Sequence, residues 1–301
     1  MGITYNFDFV ELAIKFIETG EERYLDDISR TGGATHIFNN AMLGNNVEPD
    51  DTVLSFVTRF VTPIDKHRES LPRVKENLDY AKKYIAASGT AEKIALQCLP
   101  KGFSFTGTIF FTFGYDIGVA FGNNCSLNLA NPIFQRKDKS EMLYYAIHEM
   151  HHAGFIQVRG GEMLSLDIST YKEMARLIEI ATHTEGMGTY APLAIREEEG
   201  AMDADSDYRT FQDSELMEQM IKELLDIYHY FKDSPDKVLS ESDWQKMSVL
   251  SGGTGGKRHW YIAGAHMAQV INDALGREYL VELISKDSGE FIQNYKNLER
   301  H

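Results

Sequence analysis

The sequence Tyr144-Tyr145-Ala146-Ile147-His148-Glu149-Met150-His151-His152 places an HExxH motif inside an apolar run. The run contains no Gly or Pro, and Ser140 just before it is a suitable N-cap, so the pattern predicts a helix. Four residues of an α-helix advance about 400°, which puts His148 and His152 on nearly the same line, about 6 Å apart along the axis. Two imidazoles in this arrangement can chelate one metal ion.

Glu149 follows His148 directly and lies roughly 60° around the helix from His152. Its carboxylate can therefore contact a water that the ion activates, rather than the ion itself, and that is the position of a general base. With ten histidines in 301 residues, a chance HExxH has a probability of about a few per cent. The motif therefore predicts a zinc hydrolase with one Zn²⁺ ion as its cofactor.

Composition excludes several other classes of protein. The chain has 30 Lys and Arg against 45 Asp and Glu, a net charge of -15, and no basic stretch that could neutralise phosphates, so nucleic acid is not an expected partner. The most apolar stretch, residues 108–121, contains Gly114, Asp116 and Gly118 and is too short to span a membrane as a helix. No basic segment precedes the first apolar residues, which predicts a cytoplasmic location. The oligomeric state is not predictable from these features.

Two further groups of potential ligands fit metal sites poorly. Cys98 and Cys125 match no CxxC pattern, which favours buried thiols. The acidic run Asp203-Ala204-Asp205-Ser206-Asp207 lacks the glycine and the distal glutamate of an EF-hand loop. We expect this acidic region to be a solvated loop followed by an amphipathic helix.

Hydrophobic periodicity predicts an α+β fold that is mostly α-helical, with a small β-sheet before the HExxH helix. Residues 7–100 and most residues after Gly154 show helical spacing, including separate segments near 166–182 and 188–196. Alternation after Gly102 predicts a strand with a bulge or a close backbone approach near Gly107. Residues 117–121 and 125–129 predict two more strands, joined by the turn Gly122-Asn123-Asn124. We divide the chain into an N-terminal helical lobe with the small sheet, residues 1–135, and a helical catalytic lobe, residues 136–301.

A catalytic zinc ion usually has three protein ligands and one open position, so a third His, Glu or Asp is required. The best candidate segment is Thr182-His183-Thr184-Glu185-Gly186-Met187-Gly188-Thr189-Tyr190. HExxH followed by such a segment resembles the gluzincin metallopeptidases, in which an Asn-Glu-Gly-Phe-Ala-like sequence follows the first motif. The resemblance implies a gluzincin-like architecture in which His148, His152 and Glu185 bind zinc and Glu149 is the catalytic base. His183 is the competing third ligand.

The resemblance is confined to these two short segments and, more weakly, to the C-terminal helices. The gap between His152 and Glu185 is longer than in aminopeptidase-like gluzincins, and Thr189 stands where an acidic residue is common. A Gly-Ala-Met-Glu-Asn-like segment is also missing before the motif. The chain is therefore more similar to uncharacterised bacterial families of zinc-dependent peptidases than to known aminopeptidases.

Hydrolases of this kind commonly stabilise the developing oxyanion with a Tyr or His donor from an opposing element. The segment from Gly255 to His266 begins with a Gly-rich loop and continues into an apolar helix, and it contains Tyr261, His259 and His266. Tyr261 resembles the tyrosine of a Tyr-x-x-Gly pattern in related peptidases and ranks first, with His259 second. The loop at residues 251–256 is a candidate hinge.

We predict a zinc-dependent peptidase that acts on peptide or protein substrates, with no membrane partner. The alternatives are a non-catalytic metal-binding or scaffold protein on a metalloprotease fold and, more remotely, a diiron carboxylate protein, since Glu149-x-x-His152 also fits an ExxH ligand pair. An exposed strand edge could hold an extended peptide, and residues 125–131 are the predicted edge. Whether cleavage is internal or terminal is not encoded in these motifs.

Overall fold

The structure is a computed structural model that describes residues 2–135, 139–161, 168–251 and 257–299. It is α+β and mostly helical, as the periodicity predicts. Among the described residues, no helix combines the length and apolar composition needed to cross a bilayer. The helices and strands pack into two compact units. Unit 1 comprises Met1–Leu96 and Ser104–Gln157, and unit 2 comprises Gln97–Phe103 and Val158–His301.

Unit 1 contains the sheet and the HExxH helix. The strands are β1 (Ile3–Asn6), β2 (Gly107–Thr112), β3 (Gly118–Phe121) and β4 (Asn124–Asn128), and the helices are α1 (Asp8–Thr19), α2 (Arg23–Ser29), α3 (Gly32–Leu43), α4 (Val53–Val61), α5 (Ile64–Tyr80), α6 (Thr90–Gln97) and α7 (Ser140–Val158). A π-helical segment, Ala81–Ala86, continues α5. The predicted division at residue 135 differs from the boundary of unit 1 because α7 belongs to this unit.

The sheet has the strand order β1-β2-β4-β3. β1 and β4 both run parallel to β2, whereas β3 pairs with β4 as an antiparallel hairpin around Gly122. β4 therefore lies inside the sheet, and the prediction that residues 125–131 form an open edge is wrong. Sequence order suggested an edge, but the parallel pairing of β4 with β2 covers that side. The edge strand beside β4 is β3.

The predicted close approach at Gly107 is confirmed. A Cβ atom at Gly107 would lie 1.8 Å from the carbonyl oxygen of Asn123. Only glycine lets the start of β2 approach the hairpin turn this closely. On one face of the sheet, Phe110 and Thr112 pack against Gly33 of α3. The opposite face carries Cys125, which is fully buried.

Unit 2 is helical. Its helices are α8 (Tyr171–Tyr190), α9 (Leu193–Glu198), α10 (Ser206–Phe211), α11 (Ser214–Lys232), α12 (Glu241–Ser251), α13 (His259–Leu275), α14 (Arg277–Glu282) and α15 (Ser288–Leu298). Its core includes side chains that are fully inaccessible to solvent, among them Met174, Ile178, Leu224, Phe231 and Met267. These residues come from α8, α11 and α13, so the three helices share one apolar interior.

Helix α8 corrects the prediction of separate segments near 166–182 and 188–196. It runs without interruption from Tyr171 to Tyr190, although it contains Gly186 and Gly188. A Cβ atom at Gly186 would lie 2.4 Å from the backbone of Gly264 on α13, and a Cβ atom at Gly264 would lie 2.4 Å from the carbonyl oxygen of Thr182. Glycine therefore serves close helix packing here rather than helix termination, which overrides its low helix propensity.

Candidate metal centre

Helix α7 brings the two HExxH histidines together. Their ring centroids are 4.3 Å apart, with the ring planes at 81°. His152 is buried with 7% exposure, His148 is half-buried, and Glu149 between them is 6% exposed. The i, i+4 spacing produces this pairing directly, since both side chains project from the same face of the helix. The two rings are therefore shielded on one side and still reachable from solvent.

Glu149 lies against strand β3. A Cβ atom at Gly118 would be 2.7 Å from Cγ of Glu149 and 2.9 Å from both Cδ and Oε1. The thiol of Cys125 is also close enough to Glu149 for the carboxylate charge to affect the pKa of the thiol. Burial, with a smaller contribution from Glu149, raises the pKa of the Cys125 thiol well above its ordinary value. This thiol stays protonated near neutral pH, so it cannot act as a nucleophile.

Glu185 lies in the C-terminal half of α8 and is half-buried. The helix begins with a capping box in which Thr170 accepts a hydrogen bond from the backbone of Glu173 and Glu173 accepts one from the backbone of Thr170. The carboxylate of Glu185 precedes Gly186, the point at which α8 approaches Gly264. Glu185 therefore lies next to the point where α8 packs on α13.

His148, His152 and Glu185 each offer a ligand atom, and these atoms lie within 4.8 Å of one another. Among the described residues, this is the one group of three or more His, Cys, Asp or Glu side chains close enough to hold an ion. Zinc bonds to His nitrogen and carboxylate oxygen are about 2.0–2.2 Å long, so three ligand atoms this close together are candidates to hold one ion. Two imidazoles and one carboxylate are a donor set that suits zinc.

His183, the competing third ligand, points to different neighbours. It is fully buried, its ring stacks on Phe291 with centroids 4.5 Å apart, and its Nδ1 lies 3.3 Å from Oγ of Ser288. Phe291 and Ser288 belong to α15, so His183 packs against the C-terminal helix. Two residues of a helix advance about 200°, which explains why His183 and Glu185 face opposite sides of α8.

Tyr261 is held by charged residues at the start of α13. The Arg258 guanidinium stacks on its ring, with Cζ 3.5 Å from the ring centroid. Nη1 of Arg258 also lies 3.0 Å from Oδ2 of Asp207 on α10. Asp207 is 7% exposed, and burial raises the pKa of its carboxyl to about 6, although Arg258 opposes the shift. Arg258 therefore connects a buried carboxylate to the ring of Tyr261.

His259, the second predicted oxyanion donor, has its ring nitrogens directed at acceptors within unit 2. Nε2 lies 2.8 Å from Oε2 of Glu223, and Nδ1 lies 3.2 Å from the carbonyl oxygen of Val249. This geometry disfavours His259 as an oxyanion donor and indicates a role in joining α11, α12 and α13. His266 is half-buried between the rings of Phe211 and Tyr295, and burial lowers its pKa.

Two features of this region have no counterpart among the predicted site residues. No sequence motif predicts the contact of Gly118 with Glu149. The one indication in the sequence is a glycine inside a predicted strand, which often marks a close approach. The pairing of Arg258 with Asp207 joins positions far apart in sequence and leaves no local pattern. The predicted hinge at residues 251–256 lies, apart from Ser251, outside the described residues.

The sequence was compared with protein families, curated proteins and solved structures. Residues 19–301 match the family described as "Putative zinc dependent peptidase (DUF5700)". No curated protein and no solved structure matches the chain. The family match spans the HExxH helix, the segment around Glu185 and the start of α13.

Proposed function

We propose that the chain, which belongs to the family described as "Putative zinc dependent peptidase (DUF5700)", hydrolyses peptide bonds at the cluster of His148, His152 and Glu185. The observation that carries the proposal is that the ligand atoms of these three residues lie within 4.8 Å of one another, two of them on the HExxH helix. Glu149 is the general base of the proposed reaction, and one Zn²⁺ ion is its cofactor. A gluzincin-like architecture is part of the same proposal.

When bound, zinc supplies a Lewis acid that lowers the pKa of water to about 7 and polarises the scissile carbonyl. His148 and His152 would hold it through ring nitrogens, and Glu185 through a carboxylate oxygen. A donor set with one carboxylate leaves a fourth position for chemistry, whereas structural zinc is usually closed by four Cys or His ligands. This donor set therefore supports catalysis over a purely structural role.

Glu149 performs the proton transfers. Its carboxylate accepts a proton from the water that attacks the carbonyl carbon and then donates this proton to the leaving amide nitrogen as the C–N bond breaks. Glu149 is 6% exposed, so few bulk water molecules compete for the contacts of its carboxylate. His151 is also fully buried on α7, but it does not belong to the ligand group.

Tyr261 is the proposed hydrogen-bond donor to the oxyanion that forms on the carbonyl. The guanidinium of Arg258 is attracted to the face of the Tyr261 ring and helps to keep the ring in place. Tyr261 also precedes Gly264 by one helical turn, and Gly264 is the point where α13 meets α8 next to Glu185. Tyr261→Phe should lower kcat about 10²-fold to 10³-fold with little change in KM. An unchanged kcat would remove Tyr261 from this role.

Strand β3 offers the backbone that would hold an extended peptide. The amide of Asn128 donates to the carbonyl oxygen of Ile117 at 2.9 Å, so Val119 and Phe121 also point their backbone groups toward β4. Gly118 and Ala120 consequently direct their N–H and C=O groups away from β4, and the carbonyl oxygen of Ala120 accepts a hydrogen bond from Nδ2 of Asn40 at 3.5 Å. The N–H groups of both residues lie on the open side of the sheet. A substrate can add there as a further strand. Ala120→Pro should raise KM for peptides without unfolding the protein, and an unchanged KM would reject this docking mode.

Replacing the base tests the proposed reaction. Glu149→Gln should retain one zinc per chain and lose about 10²-fold to 10⁴-fold in kcat/KM on a mixed peptide library, because the amide cannot take the proton from water. Glu141→Gln, the same change at a buried glutamate two turns earlier on α7, is the control and should keep its activity. Zinc content and cleavage rate are measured on the same samples. If zinc-loaded Glu149→Gln cleaves peptides as fast as the parent, the proposed mechanism is wrong.

A further inference from the structure

Gly118 occupies a position where any side chain would meet the catalytic glutamate. The three nearest atoms to an added Cβ all belong to Glu149, and they are Cγ at 2.7 Å, Cδ at 2.9 Å and Oε1 at 2.9 Å. Observed Cβ contacts are longer than 3.0 Å, so an alanine here would force something to shift. The backbone of Gly118 does not have a positive φ, in contrast to that of Gly114 and Gly122. Space for Glu149, rather than backbone conformation, therefore requires a glycine at this position.

We propose that Gly118 is a positioning residue for Glu149, because its missing side chain provides the space in which the Glu149 carboxylate is held. The contact itself is independent of the reaction, while its catalytic consequence rests on the proposed function. The same glycine directs its N–H and C=O toward the open side of β3. The strand that would hold the substrate and the orientation of the base are thus coupled at one residue.

The position of the clash determines its effect on Glu149. The closest atom is Cγ, which lies in the middle of the side chain, so a rotation of the terminal carboxylate alone cannot relieve the overlap. Glu149 would have to change χ1, and helical residues have few alternative χ1 rotamers. Otherwise β3 would have to move away from α7. A displacement of about 1 Å at a catalytic group can cost about 10²-fold in rate.

Neighbouring residues on the hairpin provide a contrast. Ala120 lies on the same face of the strand and already carries a Cβ atom, so the restriction is local to Gly118. Val119 points to the opposite face, and its carbonyl oxygen lies 3.2 Å from Nε2 of His36. An added methyl group at Val119 therefore has no route to Glu149. This makes Val119→Ile a matched control on the same strand.

A double-mutant cycle on the metal-free protein tests the contact without reference to activity. Gly118→Ala alone should lower the unfolding midpoint by roughly 3–8 °C because of overpacking. In a Glu149→Ala background, which lacks Cγ, Cδ and Oε1, the same substitution should leave the midpoint unchanged or raise it, since alanine is favoured over glycine in strands. Val119→Ile should shift the midpoint equally in both backgrounds. If Gly118→Ala lowers the midpoint equally in both backgrounds, the contact does not exist and the proposal is overturned.

A kinetic arm tests the catalytic consequence. Zinc-loaded Gly118→Ala should lose about 10²-fold in kcat, keep its zinc content and keep its KM within about threefold, whereas Val119→Ile should keep all three values. A higher KM at unchanged kcat would assign Gly118 to substrate binding alone and overturn the positioning role. If Glu149→Gln proves fully active, the proposed function fails while the coupling in the thermal cycle still stands. The two failures are therefore distinguishable.

Discussion

Helices α7 and α8 both carry proposed zinc ligands, and each has a glycine contact beside its functional carboxylate. On α7, the Glu149 side chain occupies the space that a side chain at Gly118 would fill. On α8, Gly186 follows Glu185 and meets the backbone of Gly264 on α13. The first contact orients a carboxylate, and the second determines how closely two helices approach.

This difference teaches which changes should affect chemistry and which should affect folding. The Glu149 side chain can shift to another rotamer, so crowding at Gly118 should mainly displace its carboxylate. A helix backbone has no such freedom, so crowding at Gly186 or Gly264 must separate α8 from α13. Both glycine contacts lie beside a proposed site residue, but a substitution at each contact should have a different effect. Three experiments test this distinction.

The largest effect is expected from the ligands themselves. His152→Ala on α7 and Glu185→Gln on α8 should each lose bound zinc and at least about 10³-fold in activity, because several kcal/mol of charge stabilisation depend on the ion. His183→Gln, two residues from Glu185, should keep the metal because His183 contacts Ser288 and Phe291. Zinc content after dialysis is the measurement. If His183→Gln loses zinc and Glu185→Gln keeps it, His183 rather than Glu185 is the third ligand.

Acidification should change the stability contributions of two buried residues, His36 and Asp207, in opposite directions. Burial lowers the pKa of His36, which contacts β3, from 6.5 to about 4. Its contribution to stability is intact above about pH 6.5 and is lost as the pH falls toward 4, because the unfolded chain binds the proton first. Burial raises the pKa of Asp207 from 3.8 to about 6. Its contribution is complete below about pH 3.8 and is lost as the pH rises through 6.

Unfolding midpoints between pH 7 and pH 4.5 test these signs. The pKa changes, from 6.5 to about 4 for His36 and from 3.8 to about 6 for Asp207, limit each contribution to about 3–3.5 kcal/mol. Relative to the parent, His36→Gln should become less destabilised as the pH falls, and Asp207→Asn should lose the gain that acid gives the parent in unit 2. A variant whose midpoint follows the same pH dependence as the parent would refute the shift assigned to that residue.

The smallest effect is expected at the helix crossing of unit 2. Gly264→Ala should lower the free energy of unfolding by about 1–3 kcal/mol through overpacking, although alanine improves helix propensity by about 1 kcal/mol. Gln269→Ala, on a half-exposed part of the same helix, should change stability by less than about 0.5 kcal/mol. Denaturant titration of the metal-free protein measures both. Stabilisation by Gly264→Ala would show that α8 and α13 do not require glycine where they cross.

Several elements follow from the sequence because their causes are local. The HExxH helix, the strands β2, β3 and β4, and the tight approach at Gly107 were all predictable from periodicity and turn residues. Membership of a zinc-dependent peptidase family agrees with the resemblance inferred from two short segments. For each of these helices and strands, the deciding residues lie within a few positions of one another.

Sequence reasoning failed where distant residues decide the outcome. It predicted β4 as an open edge and a break in α8 near Gly186, and it missed β1 because the strand is short and its partner β2 lies about a hundred residues later. It also ranked His259 as an oxyanion donor without access to its contact with Glu223. Strand order and helix crossings depend on contacts between remote segments, which local periodicity does not encode.

The sequence by itself therefore determined that two imidazoles and one carboxylate lie within about one turn of a helix, because the 3.6-residue period acts within five positions. Only the tertiary structure decided that β3 forms the open side of the sheet and that Gly118 lies against Glu149, and it supports Glu185 as the proposed third ligand. These relations depend on how separate elements pack, and side-chain volume and backbone contact across long sequence separations set that packing.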